Sequence, residues 1–215
     1  MDSGPVDSNP GLLVLHAVRL LGMADEDRVA SRFDLATDDA SELLLDFEAA
    51  GWVSRVEFAD IRGWTLTEAG KAENELQLAS ELTSAQARDV VQATYEEFAV
   101  YNARLLRAST DWQIRPSATD PLAPNTHADP RWDSRILREL ADLADYLRRA
   151  CRTLSNRLLR FGNYDPRFSE ALARVERGEH AWVNKPRADS CHTVWMELHE
   201  DLLATLNIQR GQEQT

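Results

Sequence analysis

Apolar residues recur along most of this chain at spacings of three and four, the period of an amphipathic helix, and one short stretch alternates as strands do. Residues 12–21 form an apolar helical run. Residues 25–33 make a shorter helix with acidic residues in its first turn, where they complement the helix dipole. A compact turn over 34–37 ends at Thr37, an N-cap for a helix that places Ala40, Leu43, Leu44 and Phe47 on one face and stops at Gly51. The spacing then predicts a strand over 52–58, a tip over 59–63 and a return strand over 64–66. Thr67 opens a further helix, with Glu68 in its first turn.

The second half reads as helical. Val90, Val91, Tyr95, Phe98, Tyr101, Leu105 and Leu106 mark one face of 83–109, a stretch placed to continue the helix begun at Thr67. Pro116, Pro121, Pro124 and Pro130 interrupt the pattern and predict a long loop over 109–130. A long helix over 133–161 carries Ile136, Leu140, Leu143, Leu147 and Leu154 on its buried side. Shorter helices follow over 167–176 and 190–206. Four or so helices of this kind make a bundle.

The order of the first elements, with the phrase Gly63-Trp64-Thr65-Leu66-Thr67-Glu68-Ala69-Gly70, resembles the last wing strand and following helix of MarR- and PadR-like winged helices. The resemblance covers residues 11–82, about a third of the chain. The expected fold is therefore mainly α, an N-terminal winged helix-turn-helix with a small β-wing joined to a C-terminal helical bundle. The expected boundaries are 1–10 for a disordered lead-in, 11–82 for the winged helix and 83–210 for the bundle, which would bind a ligand and dimerise. A long linking helix that pairs with its counterpart in a homodimer is what the resemblance implies.

Charge pulls against DNA binding. The chain has a formal net charge of −12. Residues 1–82 hold six Arg and Lys against seventeen Asp and Glu, so nearly all of that charge falls in the winged-helix segment. DNA affinity draws on cations that release counterions from phosphates, and few are offered here. The presumed recognition helix would aim Asp38, Asp39, Glu42 and Asp46 outward, with Ser41 its neutral polar position. Four carboxylates beside a phosphate backbone repel it, although dipole-placed acids also suit a solvated helix face. The remaining candidates for DNA contact are Arg28 and Arg32 on the preceding helix and Arg55 and Arg62 on the wing, Arg62 foremost.

Three phrases in the second half are richer in chemistry than a plain bundle needs: Thr110-Asp111-Trp112-Gln113-Ile114-Arg115-Pro116, the stretch 160–167, and the stretch 185–201. Each sets aromatic rings beside guanidinium or imidazole groups, which suits a pocket for a small anionic or aromatic ligand. The candidates are Trp112, Arg115, Arg160, Tyr164, Arg167, His192, Trp195 and His199, with the three arginines as a clamp for a carboxylate or phosphate if the loops converge. His192 and His199 lie two turns apart, about 10 Å by helix rise, so one ion cannot take both. No metal and no cofactor is expected.

No phosphate loop, nucleophile elbow, paired-cysteine site or dinucleotide fingerprint occurs, so no enzyme is expected. Cys191 beside His192 is adjacency in sequence, which a Cys–His nucleophile pair does not require and rarely uses. The two cysteines, Cys151 and Cys191, make a reducing cytoplasm the simplest home, and no apolar run approaches membrane-spanning length.

GntR-type regulators also join a winged helix to a helical effector domain, although the Asp and His spacing of their metal site is missing here. Across the whole chain, Asp111-Trp112-Gln113, Arg160-Phe161-Gly162 and His192-Thr193-Val194-Trp195 with 197–203 resemble a little-characterised bacterial family labelled as transcriptional regulators and loosely associated with phosphoenolpyruvate-utilising enzymes. Two functions follow as expectations: a ligand-responsive transcriptional regulator, or a non-DNA-binding winged helix that docks on a metabolic enzyme as its protein partner.

Overall fold

Asn9 starts the first helix, α1 (Pro10–Leu21): its side chain accepts from the Gly11 N–H at 2.8 Å, and Pro10 occupies a position whose own N–H would be orphaned. Asp25 caps α2 (Glu26–Ser31) by accepting from the Arg28 N–H, and Thr67 caps α4 (Glu68–Ser84) by accepting from the Gly70 N–H. The start of α3 (Thr37–Ala49) differs from expectation. Ala36 is its cap residue, and Thr37 lies one step inside, its hydroxyl donating to Asp27 Oδ1 at 3.2 Å.

This computed structural model describes residues 4–58 and 61–209 and is mainly helical, with one two-stranded antiparallel sheet. Strands β1 (Val53–Phe58) and β2 (Ile61–Leu66) pair with Val53 opposite Leu66, Arg55 opposite Trp64 and Glu57 opposite Arg62. Arg62 thus lies inside a strand rather than in the expected tip, whose residues Ala59 and Asp60 fall outside the described residues. Ala24 adds an antiparallel bridge to Trp64, each N–H donating to the other's carbonyl.

The expected continuous helix from Thr67 to 109 is broken. α4 ends at Ser84, and α5 (Arg88–Gln113) starts after Gln86, which adopts φ 50°. The hydroxyls of Thr83 and Ser84 bond back to the Ala79 and Ser80 carbonyls, and Ala85 and Ala87 are buried at the corner. Then come α6 (Pro130–Ser155), a 3-10 turn at Leu159–Asn163, α7 (Tyr164–Glu176), a second 3-10 turn at His180–Val183 and α8 (Cys191–Leu206).

The chain divides into two units. One holds the described residues up to Val91 with Leu154–Arg160 and those from Glu200 onward; the other holds Gln92–Thr153 and Phe161–His199. In the first unit Val14, Leu15, Val18, Val29, Ala40, Leu44, Val53 and Trp64 form an apolar core. Gly70 lets α4 approach the hairpin, because a Cβ there would stand 1.9 Å from the Trp52 carbonyl oxygen. The segment ahead of α1, expected as a disordered lead-in, is tied down where it is described. Val6 bridges Leu158, donating to the Arg157 carbonyl at 2.9 Å and accepting from the Leu159 N–H at 3.1 Å.

In the second unit, aromatic side chains from all four helices meet. Phe98 of α5 stacks on Trp195 of α8 at 4.8 Å, Tyr101 on Tyr146 of α6 at 3.8 Å, and Phe168 of α7 lies 6.0 Å from Trp195. The proline-rich connection is ordered by Asn125, whose Nδ2 donates to the Trp112 carbonyl and to Asp133.

Candidate functional site

The outward side of α3 is acidic. Asp38, Asp39, Glu42 and Asp46 are all exposed, because Ala40, Leu44 and Phe47 take the opposite face into the core. Leu45 stands beside them half exposed, at 50%. Beside the hairpin lies a cleft of about 420 Å³, whose wall includes Asp25, Glu26, Glu57 and Trp64 as well as Arg55 and Arg62.

Three of the four arginines expected to meet phosphates have local partners. Arg62 bonds Glu57 across the hairpin at 2.9 Å. Arg55 lies 3.4 Å from Glu48 and stacks 4.5 Å over the Trp64 ring. Arg32, expected on the surface one turn from Arg28, is buried at 3% exposure with its guanidinium 4.4 Å over Phe33. Arg28 and Ser41 are half-buried. Exposed pairs of this kind contribute little to stability. Their effect here is on field: Arg55 and Arg62 each lie beside a carboxylate, and the acids of α3 remain.

Behind this surface the first unit holds a buried polar network that sequence patterning did not find. His16 is sealed, its Nδ1 3.1 Å from Asn74 Oδ1 and its Nε2 3.1 Å from Asp201 Oδ1. Arg160 donates to Glu81 Oε2 at 2.9 Å, to Asp201 and to Thr205 Oγ1 at 2.7 Å, while Ser8 donates to Glu81. Burial alone would lower the Arg160 pKa, but the carboxylates of Asp201 and Glu81 outweigh it and hold the guanidinium above its ordinary value. The available signal was His16 itself, an imidazole in the middle of the apolar stretch Leu12–Val18.

The three arginines of the expected clamp are not brought together as one. Arg160 belongs to the first unit. In the second, Arg115 pairs with Asp129 at 2.5 Å, and Arg167 forks onto Asp189 at 2.8 and 2.9 Å and reaches the buried Glu197 at 2.8 Å. Each is already neutralised by its own carboxylate. Trp195 and Tyr164 have no exposed surface. Trp112, also buried, packs against His127 at 4.6 Å and His180 at 5.5 Å and donates to the His180 carbonyl. His127 lies 3.1 Å from Asp133, and His199 packs on Phe98. Among the described residues no three His, Cys, Asp or Glu side chains are grouped to hold a metal, and no helix is long and apolar enough to cross a membrane.

No family model, curated protein or solved structure matches the chain.

Burial pushes the Cys191 thiol up to about 12, which keeps it protonated at neutral pH, and holds the neighbouring His192 below the ordinary imidazole range. The sign of the His192 effect fixes a prediction. A depressed folded-state pKa gives stability that is present above the ordinary value near 6.5 and is lost as pH falls below it, because the unfolded chain takes up the proton first. Urea unfolding of the second unit should therefore shift to lower urea between pH 7.5 and pH 5.5, and His192→Gln should flatten that dependence. An unchanged slope in the variant would mean another group is responsible.

Proposed function

We propose that this protein is a docking factor: a winged-helix unit that presents the acidic face of α3 to a basic surface on a protein partner, carried on a helical second unit. The observation that supports this reading is the charge of the presumed recognition helix. Asp38, Asp39, Glu42 and Asp46 are exposed, and Leu45, an apolar residue left half in solvent, lies at the edge of the face they form. Charged side chains beside an exposed aliphatic anchor suit a protein interface, where opposite charge steers encounter and the apolar group is buried. The same carboxylates oppose a phosphate backbone. The family resemblance makes a phosphoenolpyruvate-utilising enzyme the first partner to try.

A second reading is supported by element order. Three helices, a hairpin and the Ala24 bridge follow the plan of DNA-binding winged helices, and on that reading the protein is a ligand-responsive regulator acting as a homodimer. One pair of measurements separates the two. Anisotropy of a labelled duplex at low salt should stay flat up to tens of micromolar protein, the range in which non-specific binders register. A photo-crosslinker placed at Leu45 in the native host should capture a protein that is lost in the triple variant Asp38→Lys, Glu42→Lys, Asp46→Lys. Duplex binding that weakens steeply with salt and with Arg62→Ala would overturn docking in favour of the regulator.

A further inference from the structure

The first unit contains a second cleft, of about 540 Å³, lined by the segment ahead of α1, by α1 itself and by α3 and α4. Pockets of this size hold small organic ligands. Its apolar part is formed by Val6, Leu12 and Phe47, the last two nearly buried at 6% and 7% exposure. Its polar part is one-sided. Asp7 and Glu81 contribute carboxylates, Asn9 and Gln77 amides, and Ser8, Ser80 and Ser84 hydroxyls, while no Lys, Arg or His is among the lining residues.

These groups differ in what they have left to offer. Glu81 is committed to Ser8 and Arg160. Ser84 donates its hydroxyl proton to the Ser80 carbonyl, which leaves its oxygen as an acceptor. Gln77 donates through Nε2 to Glu73 at 2.8 Å, but its Oε1 is buried with no hydrogen-bond partner. That oxygen has no accessible surface, so it is not among the groups a ligand in the cleft meets. Asp7 is exposed at the rim and has no ion-pair partner among the described residues. The groups still open thus include a hydroxyl oxygen and a rim carboxylate, both acceptors, above an apolar floor.

The geometry points to a binding site for a small organic cation: an amine whose apolar body lies on Phe47 and Leu12 and whose ammonium group is held by Asp7 at the rim. An anion would meet the Asp7 carboxylate and no cation in this lining, since Arg160 is already taken up by Glu81 and Asp201. The inference does not rest on whether α3 meets a protein or DNA, since the cleft lies against Phe47 on the side of α3 away from its acidic face.

Tryptamine and its charge-reversed analogue indole-3-propionate test it, read by amide chemical shifts of the isotope-labelled full chain. Tryptamine is expected to shift the amides of Gly11, Gln77, Ser80 and Ser84 at millimolar concentration, and indole-3-propionate to leave them unchanged. Asp7→Asn, at an exposed position, should weaken tryptamine about fivefold, the scale of an exposed ion pair. Ser80→Lys places a cation in the cleft from an exposed helix position and should weaken it at least tenfold, about 1.4 kcal/mol. Three results would each overturn the site: equal shifts from the propionate, no shift from tryptamine at about 10 mM, or tryptamine shifts undiminished in Ser80→Lys.

Discussion

Arg160→Leu is expected to destabilise the first unit by about 3–5 kcal/mol, the scale for breaking a buried ion pair from one side. The loss would exceed that of deleting an ordinary salt bridge because the side chain is fully buried and its partners are buried with it. Glu81 would keep only Ser8, and Asp201 would keep Thr205 and His16, so two carboxylates would remain in the interior without the guanidinium that compensates them. Hydrogen exchange at the amides of Leu15, Leu78 and Leu202, core positions of this unit, reads the effect separately from the second unit. Replacing the three charged groups together, as Arg160→Met with Glu81→Leu and Asp201→Leu, should recover much of the loss, since a buried ion network contributes little net stability over apolar residues of similar volume. A single-variant loss below about 1 kcal/mol would show that the network is solvated and does not bind the unit together.

That network also shows where sequence reading stops. The helices and the hairpin were legible because each has one face to bury, and the period of its apolar residues gives that face directly. Long polar side chains carry no such mark. Glu81, Arg160 and Asp201 sit on helices or turns at positions that could equally face water, and only their partners, distant in sequence, make them interior. Arg32 misled for the same reason: its spacing from Arg28 suggests a shared exposed face, yet it is buried against Phe33 while Arg28 is half-buried. The break between α4 and α5 was hidden because Gln86 is not a residue that usually marks a left-handed turn. Arg115 and Arg167 were chosen as anion-binding groups from the aromatic rings beside them, but Asp129, Asp189 and Glu197 already occupy them. The acidity of α3 survived unchanged from sequence to structure, because short charged side chains on the face opposite Leu44 have nowhere to go but outward.

In the second unit the largest expected loss is from Trp195→Ala, about 3–5 kcal/mol. Trp195 is fully buried, and the rings of Phe98, Phe168 and Tyr146 surround it at 4.8, 6.0 and 6.1 Å. Its Nε1 donates to Asn102 Oδ1 at 3.1 Å, so one side chain ties α8 to three neighbouring helices. Truncation would open a cavity bounded by aromatic rings, which are too rigid to collapse into it, and would leave Asn102 without its donor. Trp195→Phe separates the two contributions. It retains most of the ring contact and removes the N–H, and because Asn102 is half-buried and can turn to water, the loss should stay near 1 kcal/mol. Hydrogen exchange along α8 from Val194 to Leu198 measures both variants. A loss under about 1 kcal/mol for Trp195→Ala would mean that the site repacks freely, as a ligand pocket would, and would restore Trp195 as a binding residue rather than the centre of the core.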